Sequence, residues 1–153
     1  MKKYILIKEN TFEKVRKKIN ENKDKKIIFT SDNDELNRKV LEKLAIDVLL
    51  INQSGRRDFQ KQRNSGFNQV LAKIAKKGEV AVGINLDEII VPREKSKLDI
   101  LARVQQNTKL CNKNKLRMVF CGKNDRSMHD LKALGLVLGM PTWMTKDLQT
   151  FFN

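Results

Sequence analysis

Short runs of consecutive apolar residues alternate along the chain with stretches in which apolar residues recur every three or four positions. The runs have the length of β-strands, and their continuous hydrophobicity is typical of parallel strands covered on both faces. They lie at residues 4–7, 26–30, 47–52, 80–84 and 117–121. The stretches with helical spacing lie at residues 11–20, 32–45, 65–77, 95–112, 128–138 and 145–152. This alternation predicts an α/β fold.

Local signals predict where two of these helices begin and end. Four apolar residues of the third helix follow the i, i+3, i+4, i+7 pattern of a core-facing stripe: Phe67, Val70, Leu71 and Ile74. Gly78 follows this helix and is predicted to end it at the C′ position. In the second helix, Asp32 is predicted to be the N-cap, with Glu35 three residues later.

The length of 153 residues limits the architecture. It suffices for one domain with a core, and no internal repeat or linker divides residues 1–153, so a single α/β domain is predicted. Five or six strand–helix units would form either a doubly wound sheet or a barrel. Because a complete eight-stranded barrel needs roughly 200 residues or more, a barrel here would be a reduced or open version.

The charge of the chain is strongly positive, with 32 Lys and Arg against 18 Asp and Glu and a net charge of +14. This balance favours a polyanionic partner such as RNA, DNA or an anionic membrane, and a solvated basic surface is the alternative. No apolar run approaches the ~20 residues of a membrane span, and the first ten residues do not resemble a secretory signal. A cytoplasmic protein without a membrane partner is therefore expected, with Cys111 and Cys121 reduced and buried.

Positive residues concentrate in one predicted loop that runs into a helix, where free backbone N–H groups and the helix dipole favour anions. The residues of this segment predicted to bind RNA are Arg56, Arg57, Lys61, Arg63, Asn64, Ser65 and Gly66. The four cations would contact phosphates, and Ser65 and Gly66 would present the N-terminus of the helix. Lys123 and Arg126 follow a later strand and would leave the same, carboxyl edge of a parallel sheet. The two loops could then form one electropositive rim.

Residues suited to catalysis are sparse. His129 is the single histidine, so the multi-histidine sites of zinc enzymes and dinuclear hydrolases are not available. Asp87 and Glu88 follow a predicted strand, where α/β folds place chemistry, but a turn and helix cap explain them equally well. No glycine-rich nucleotide-binding motif is present. We therefore predict no catalytic residue and no metal or cofactor bound by the chain itself, and the aromatic content of 6% argues against a base-stacking platform.

The segment RNSGFNQVLAKIAKKGEVAVGINLDEII at residues 63–90, with Arg56, Arg57 and Asp58 before it, resembles the archaeal and eukaryotic ribonuclease P protein component 3 family. A weaker match continues through residues 105–123 and ends near residue 140. The resemblance implies a TIM-like barrel of the polymerase-and-histidinol-phosphatase type that lacks the metal-binding histidines of that type. Because members of the family are usually longer than this chain, it also implies that closing elements of the barrel are absent here or supplied by a partner.

The resemblance further implies a function. Members of the family are RNA-binding subunits of ribonuclease P, the endoribonuclease that removes the 5′ leader from precursor tRNA. The catalyst of that enzyme is its RNA, which needs Mg²⁺, so the isolated chain would be non-catalytic. Expected partners are the ribonuclease P RNA, precursor tRNA, ribonuclease P protein component 2 and the other protein subunits. Two other functions stay open, namely a metal-dependent phosphoesterase using Asp87, Glu88 and His129, and a non-enzymatic protein-binding module.

Overall fold

A computed structural model describes residues 3–91 and 94–152 of the chain, without the side chains of residues 94 and 95. In this part of the chain, six strands form one parallel sheet in the order of the sequence. They are β1 Tyr4–Lys8, β2 Lys26–Thr30, β3 Val48–Ile51, β4 Ala81–Asn85, β5 Met118–Gly122 and β6 Gln149–Phe152. The predicted α/β class is therefore confirmed.

Helices connect the strands and cover the outer face of the sheet. They are α1 Phe12–Glu21, α2 Asp34–Lys43, α3 Gln69–Lys77, α4 Leu86–Ile90, α5 Glu94–Lys113, α6 Met128–Val137 and α7 Thr142–Lys146. Since successive strand residues point to opposite faces, each strand contributes to two apolar layers. Phe29, Leu49 and Phe120 lie in the larger layer between sheet and helices. Ile28 and Leu50 lie in the smaller layer on the other face of the sheet.

The sheet curls until its two outer strands come together. The Tyr4 hydroxyl donates a hydrogen bond to the Phe152 carbonyl, and the Tyr4 ring stands edge-on to Phe151 with 5.1 Å between the ring centroids. In the described residues, β1 and β6 do not share a ladder of backbone hydrogen bonds. The architecture is thus an open, reduced barrel, as the family resemblance implied, rather than a doubly wound sheet, the alternative that the sequence pattern left open.

The prediction of a final helix at residues 145–152 is wrong. The helix α7 begins earlier, after Pro141, and ends at Lys146, and the following residues form strand β6. Four residues with helical spacing cannot be distinguished from a short strand by pattern alone. The open edge of β5 decides the outcome, because it offers backbone partners to residues 149–152.

The start of α3 also differs from its prediction. The helix begins at Gln69, four residues after the predicted start, and the Asn68 side chain caps it by accepting the N–H of Leu71. Val70, which was predicted to face the core, is 52% exposed, whereas Leu71 is buried as predicted. Gly78 ends the helix, but with φ −86°, and the left-handed conformation falls on Glu79 at φ +56°.

Helix α2 is capped by Asn33 and not by Asp32. The Asn33 Oδ1 atom accepts the N–H groups of Glu35 and Leu36 at 3.0 and 3.2 Å.

We expect Asn33→Ala to lower the free energy of unfolding by about 1 kcal/mol, the usual contribution of an N-cap. Asp32 is the adjacent, exposed residue, and Asp32→Ala should change the free energy of unfolding by less than about 0.5 kcal/mol. Urea denaturation of both variants checks the assignment, and equal losses would contradict it.

Candidate nucleic-acid interface

Residues 52–68, which we call the basic loop, connect β3 to α3 at the carboxyl edge of the sheet and contain neither helix nor strand. A loop of this length normally lacks a single conformation unless other elements hold it. Here six side chains from outside the loop, on helices α2, α4 and α5, contact its backbone or its charged groups. They are Asp34, Glu88, Asp99, Arg103, Gln106 and Asn107. The basic loop is therefore a rigid surface.

Arg103 of α5 is the central anchor of the basic loop. Its side chain is only 6% exposed. The guanidinium donates to the carbonyls of Gln53 and Arg56 at 3.1 and 2.9 Å, and to the Asp58 carboxylate at 3.0 Å. A planar guanidinium with five donors can hold three separate acceptors in this way, which an ammonium group cannot do with the same geometry.

The Asp58 carboxylate joins the two halves of the loop. Besides Arg103, it accepts the backbone N–H of Asn64 at 3.0 Å and an N–H of Arg63 at 3.2 Å. The Asn64 N–H, followed by the Arg103 side chain, holds the pKa of Asp58 below its usual range. A lowered pKa keeps the carboxylate ionised at any pH above the ordinary value of about 3.9, so this junction persists at neutral pH.

Glu88 of α4 fixes the beginning of the basic loop. Its carboxylate accepts the backbone N–H groups of Gln53 and Ser54 at 2.7 and 3.1 Å. Burial raises the pKa of Glu88 above its usual value, while these two N–H groups act in the opposite direction. Its neighbour Asp87 instead accepts the backbone N–H of Lys123 at 3.2 Å. The two carboxylates thus support two different loops.

Arg56 is the most enclosed of the predicted phosphate-binding cations. Its guanidinium forms a two-pronged ion pair with Asp34 at 2.8 and 2.9 Å, donates to the Asn52 carbonyl at 2.7 Å, and is 10% exposed. Gly66 lies directly against it with φ +73°, and a Cβ atom at Gly66 would come within 2.4 Å of the Arg56 Nη2 atom. In this structure, Arg56 organises the loop from within.

Ser65 and Gly66 do not present a helix N-terminus, because α3 starts only at Gln69. Ser65 is 2% exposed, and its carbonyl accepts the side-chain amides of Gln53 and Asn107 at 2.8 and 3.2 Å. Its role in the fold is to tie the end of the loop to its beginning and to α5. The predicted cradle of helix N–H groups at these residues is therefore wrong.

Four of the cations predicted to bind RNA are exposed and lie at the surface. They are Arg57 and Lys61 in the loop, together with Lys123 and Arg126 after β5. None of the ion pairs in the described part of the chain involves these four residues. Arg63 is partly engaged, with its Nη1 atom 3.2 Å from Asp58 and 3.6 Å from Asp99. Arg57 and Lys61 therefore carry the positive charge that the basic loop offers to a partner.

Phe59 lies between these cations and is 57% exposed. Beside it, between the loop and α5, runs a groove of about 450 Å³ that Asn64, Gln106 and Leu110 also line. An exposed aromatic ring next to free cations suits an unpaired nucleotide base, because the ring can stack and the cations can neutralise the phosphate. The low overall aromatic content had argued against base stacking, because a percentage does not show where a single ring such as Phe59 lies.

Sequence reasoning missed Arg103 as well. A signal was present, since Arg103, Gln106 and Asn107 share one face of α5 through the i, i+3, i+4 spacing. A polar stripe on a helix normally faces solvent, and only the loop folded over it makes it an anchor. The rival set of Asp87, Glu88 and His129 gains no such support. Asp87 and Glu88 hold loops, and His129 is exposed on α6. The described residues contain no group of three or more His, Cys, Asp or Glu side chains that could hold a metal ion.

Comparisons with known proteins agree with the family that the sequence suggested. Ribonuclease P protein component 3 of Methanosarcina mazei is 31% identical over 70% of this chain, and that of Methanosarcina acetivorans is 30% identical over 74%. The protein of the same name from Methanococcus maripaludis strain C5 is 28% identical over 92% of the chain. These alignments cover 41%, 47% and 57% of the relatives, so the chain spans about half their length.

The fold has a solved counterpart. A chain in a cryo-EM structure of archaeal ribonuclease P with mature tRNA matches 94% of this chain with a TM-score of 0.78, at 24% identity, and the match covers 62% of that chain. No family profile matches the sequence. The predicted resemblance to ribonuclease P protein component 3 is thus confirmed, and so is the barrel-like fold. In the described residues, no helix is long and apolar enough to cross a membrane.

Proposed function

Because the chain is related to ribonuclease P protein component 3, we propose that it is an RNA-binding subunit that supports the catalytic RNA of ribonuclease P. The observation that carries the proposal is that different residues of the basic loop and its surroundings fix the loop backbone and present positive charge at its surface. Arg103, Arg56 and Glu88 hold its backbone in one conformation, while Arg57 and Lys61 stay free at its surface. A preorganised cationic surface binds a polyanion without the entropic cost of ordering a flexible loop.

RNA phosphates would contact Arg57 and Lys61, and Arg63 would join them by exchanging one of its carboxylate partners for a phosphate. An unpaired base would stack on Phe59 and enter the groove beside α5. Lys123 and Arg126, at the same carboxyl edge of the sheet, would extend the contact to a neighbouring phosphate. Arg56, Asn64, Ser65 and Gly66, also predicted from sequence to bind RNA, would act by shaping the loop.

The assignment of Arg57 and Lys61 can be tested by salt titration. We expect Arg57→Ala combined with Lys61→Ala to weaken binding to the cognate RNA and to reduce the slope of log K against log salt by about 1–2, since up to two phosphate contacts disappear. The charge-matched control is Lys23→Ala combined with Lys77→Ala, two exposed residues outside both carboxyl-edge loops. The control should retain the slope of the unmodified protein. An unchanged slope in the loop variant would remove the basic loop from the interface.

The function as a subunit requires reconstitution. Cleavage of precursor tRNA would be measured with the cognate ribonuclease P RNA, protein component 2 and the other protein subunits, with and without this chain, at limiting Mg²⁺. We expect the chain to lower the Mg²⁺ concentration needed or to raise the rate, because its cations reduce repulsion between RNA phosphates. Mg²⁺ would belong to the RNA in this scheme, and the enzyme would act in the cytoplasm. Unchanged cleavage would contradict the proposed function even if RNA binding persisted.

A further inference from the structure

The open barrel has a second polar site, which shares only Asn52, the first residue, with the basic loop. At the carboxyl end of the sheet, a cavity of about 240 Å³ lies on the inner face of the strands, and we call it the mouth cavity. Its polar wall consists of Lys8, Thr30, Asn52, Asn85, Asp87 and Lys123. Its apolar wall includes Leu6, Leu50 and Phe151. The carboxyl end of parallel strands is where α/β barrels bind their ligands.

The inward positions of the first four strands show a consistent change of chemistry at this end. Leu6, Ile28 and Leu50 are each followed two residues later by a polar residue, namely Lys8, Thr30 and Asn52. In the fourth strand Gly83 precedes Asn85 in the same way. Thr30 is 3% exposed and Asn52 and Asn85 are partly buried, and enclosing polar groups is unfavourable without full hydrogen bonding. Ligand binding would explain why polar residues occupy these positions.

Hydrogen bonds among these residues leave donors available. The Asn52 amide donates to the Thr30 hydroxyl at 3.0 Å, and the Asn85 amide donates to the Asn52 Oδ1 atom at 3.0 Å. Each amide carries two N–H groups, and Thr30 accepts here rather than donates. One N–H on each amide and the Thr30 hydroxyl hydrogen thus stay available within the described hydrogen-bond network. The site offers a surplus of donors.

The charged residues around the mouth cavity are mainly positive, which agrees with its surplus of hydrogen-bond donors. Lys8 and Lys123 are exposed, and neither takes part in an ion pair in the portion of the chain that the structure describes. The one carboxylate of the rim, Asp87, already accepts the Lys123 backbone N–H. Two ammonium groups with hydroxyl and amide donors suit a phosphate, and the apolar wall at Leu6 and Phe151 suits the flat face of a sugar or base.

From this arrangement we propose that the mouth cavity binds a phosphate monoester no larger than a nucleoside monophosphate. The volume supports the size limit, since it lies below the roughly 300 Å³ at which pockets for drug-sized ligands begin. The phosphate would sit between Lys8 and Lys123, and the hydroxyl groups of the ester would meet Thr30 and Asn52. The same chemistry occurs in free sugar phosphates and nucleotides and at the phosphorylated end of an RNA strand.

Nuclear magnetic resonance can test this directly, since the chain has a mass of only 17.8 kDa. Uridine 5′-monophosphate, ribose 5-phosphate and inorganic phosphate would be titrated separately, with the side-chain amides of Asn52 and Asn85 as reporters. We expect saturable shifts at these amides with the two esters and weaker shifts with inorganic phosphate, which lacks the sugar. An absence of shifts at millimolar ligand, or shifts confined to residues 53–68 of the basic loop, would overturn the proposal.

Two variants sharpen the test. Lys8→Ala, which removes one exposed cation, should weaken ester binding about tenfold, the effect of one charge-assisted hydrogen bond. Leu6→Trp would fill the apolar half of the cavity without a change of charge, and Leu6 is 39% exposed on an edge strand, so a larger side chain can be accommodated. It should also abolish ester binding. The Lys23→Ala, Lys77→Ala variant should bind as the unmodified protein does, and equal weakening in this control would overturn the site.

The source of the ester can be resolved in the same experiment. A short oligonucleotide with a terminal phosphate would be compared with the same oligonucleotide without it. Displacement of uridine 5′-monophosphate by the phosphorylated form alone would assign the cavity to a strand end. Displacement by neither form, with ester binding retained, would assign it to a free small molecule. Because the basic loop is unaltered in Leu6→Trp, its salt-dependent RNA binding should persist there, which separates this proposal from the function proposed above.

Discussion

Arg103→Ala should lower the free energy of unfolding by about 3–5 kcal/mol, because it removes a buried guanidinium that donates to three acceptors of the basic loop. The substitution leaves the Gln53 and Arg56 carbonyls without their donor, and it leaves Asp58 with a weaker set of partners. Hydrogen bonds to a charged donor contribute about 1.5–3 kcal/mol each, so the loss of three agrees with that range after partial relaxation of the loop. Urea denaturation measures the change.

Two control variants distinguish the hydrogen bonds of the Arg103 guanidinium from the effect of its positive charge. Arg63→Ala removes an exposed arginine that also contacts Asp58, and it should change the stability by less than about 1 kcal/mol. Arg103→Lys keeps the charge but not the planar fork of donors, so it should restore only part of the loss. If Arg103→Ala were no more destabilising than Arg63→Ala, the basic loop would not depend on its anchor.

The same substitution should weaken RNA binding, although Arg103 itself is enclosed. Loss of the anchor allows the loop to sample other conformations, so binding would have to order it again. The salt slope should change little, because Arg57 and Lys61 are still present to contact phosphates. Reduced affinity with a retained slope is therefore the signature of a positioning residue, in contrast to the reduced slope expected for Arg57→Ala with Lys61→Ala.

Gly66→Ala should lower the free energy of unfolding by about 2–4 kcal/mol for two separate reasons. The residue has φ +73°, a conformation that costs an alanine about 1 kcal/mol or more. In addition, the new Cβ atom would lie 2.4 Å from Arg56 Nη2 and 2.9 Å from Ile51 Cγ2, so the guanidinium must leave its place beside Asp34. Thermal or urea denaturation would show the combined effect.

Gly55 supplies a matched control within the same loop. Its φ of +76° is nearly the same, but a Cβ atom there would meet no atom within 4 Å. Gly55→Ala should therefore show only the conformational part of the cost, about 1 kcal/mol. In an Asp34→Ala background, where Arg56 can move away, Gly66→Ala should become less costly by about 1 kcal/mol or more. Equal costs at the two glycines would refute the close packing of Arg56 against Gly66.

The chain illustrates why residue type predicts chemistry more easily than role. Arginine and lysine at positions 56, 57, 61 and 63 indicated a polyanion-binding loop, and the comparisons support the family to which that loop pointed. Which of these cations are free could not be read from the sequence. Arg56 is engaged by Asp34, which lies 22 residues away, and such distant pairing has no local signal.

The errors in secondary structure have the same origin. Strand β6 forms because β5 offers an open edge, and the sequence of residues 149–152 alone fits a helix as well as a strand. Helix α3 starts late because Gln53 and Asn107 hold the Ser65 carbonyl and the left-handed Gly66 follows, so the helix begins only after the Asn68 cap. In both places a contact made across the fold outweighed the local preference of the chain.

By itself, the sequence determined the α/β class, the positions of the first five strands along the chain and the surplus of positive charge. These properties follow from local hydrophobic periodicity and composition, which do not depend on the final arrangement. Only the tertiary structure decided that Arg103 anchors the basic loop, that Arg57 and Lys61 stay free, and that residues at the ends of all six strands line the mouth cavity. Each of these depends on residues far apart in sequence, whose distances are set only when the sheet curls and the helices pack upon it.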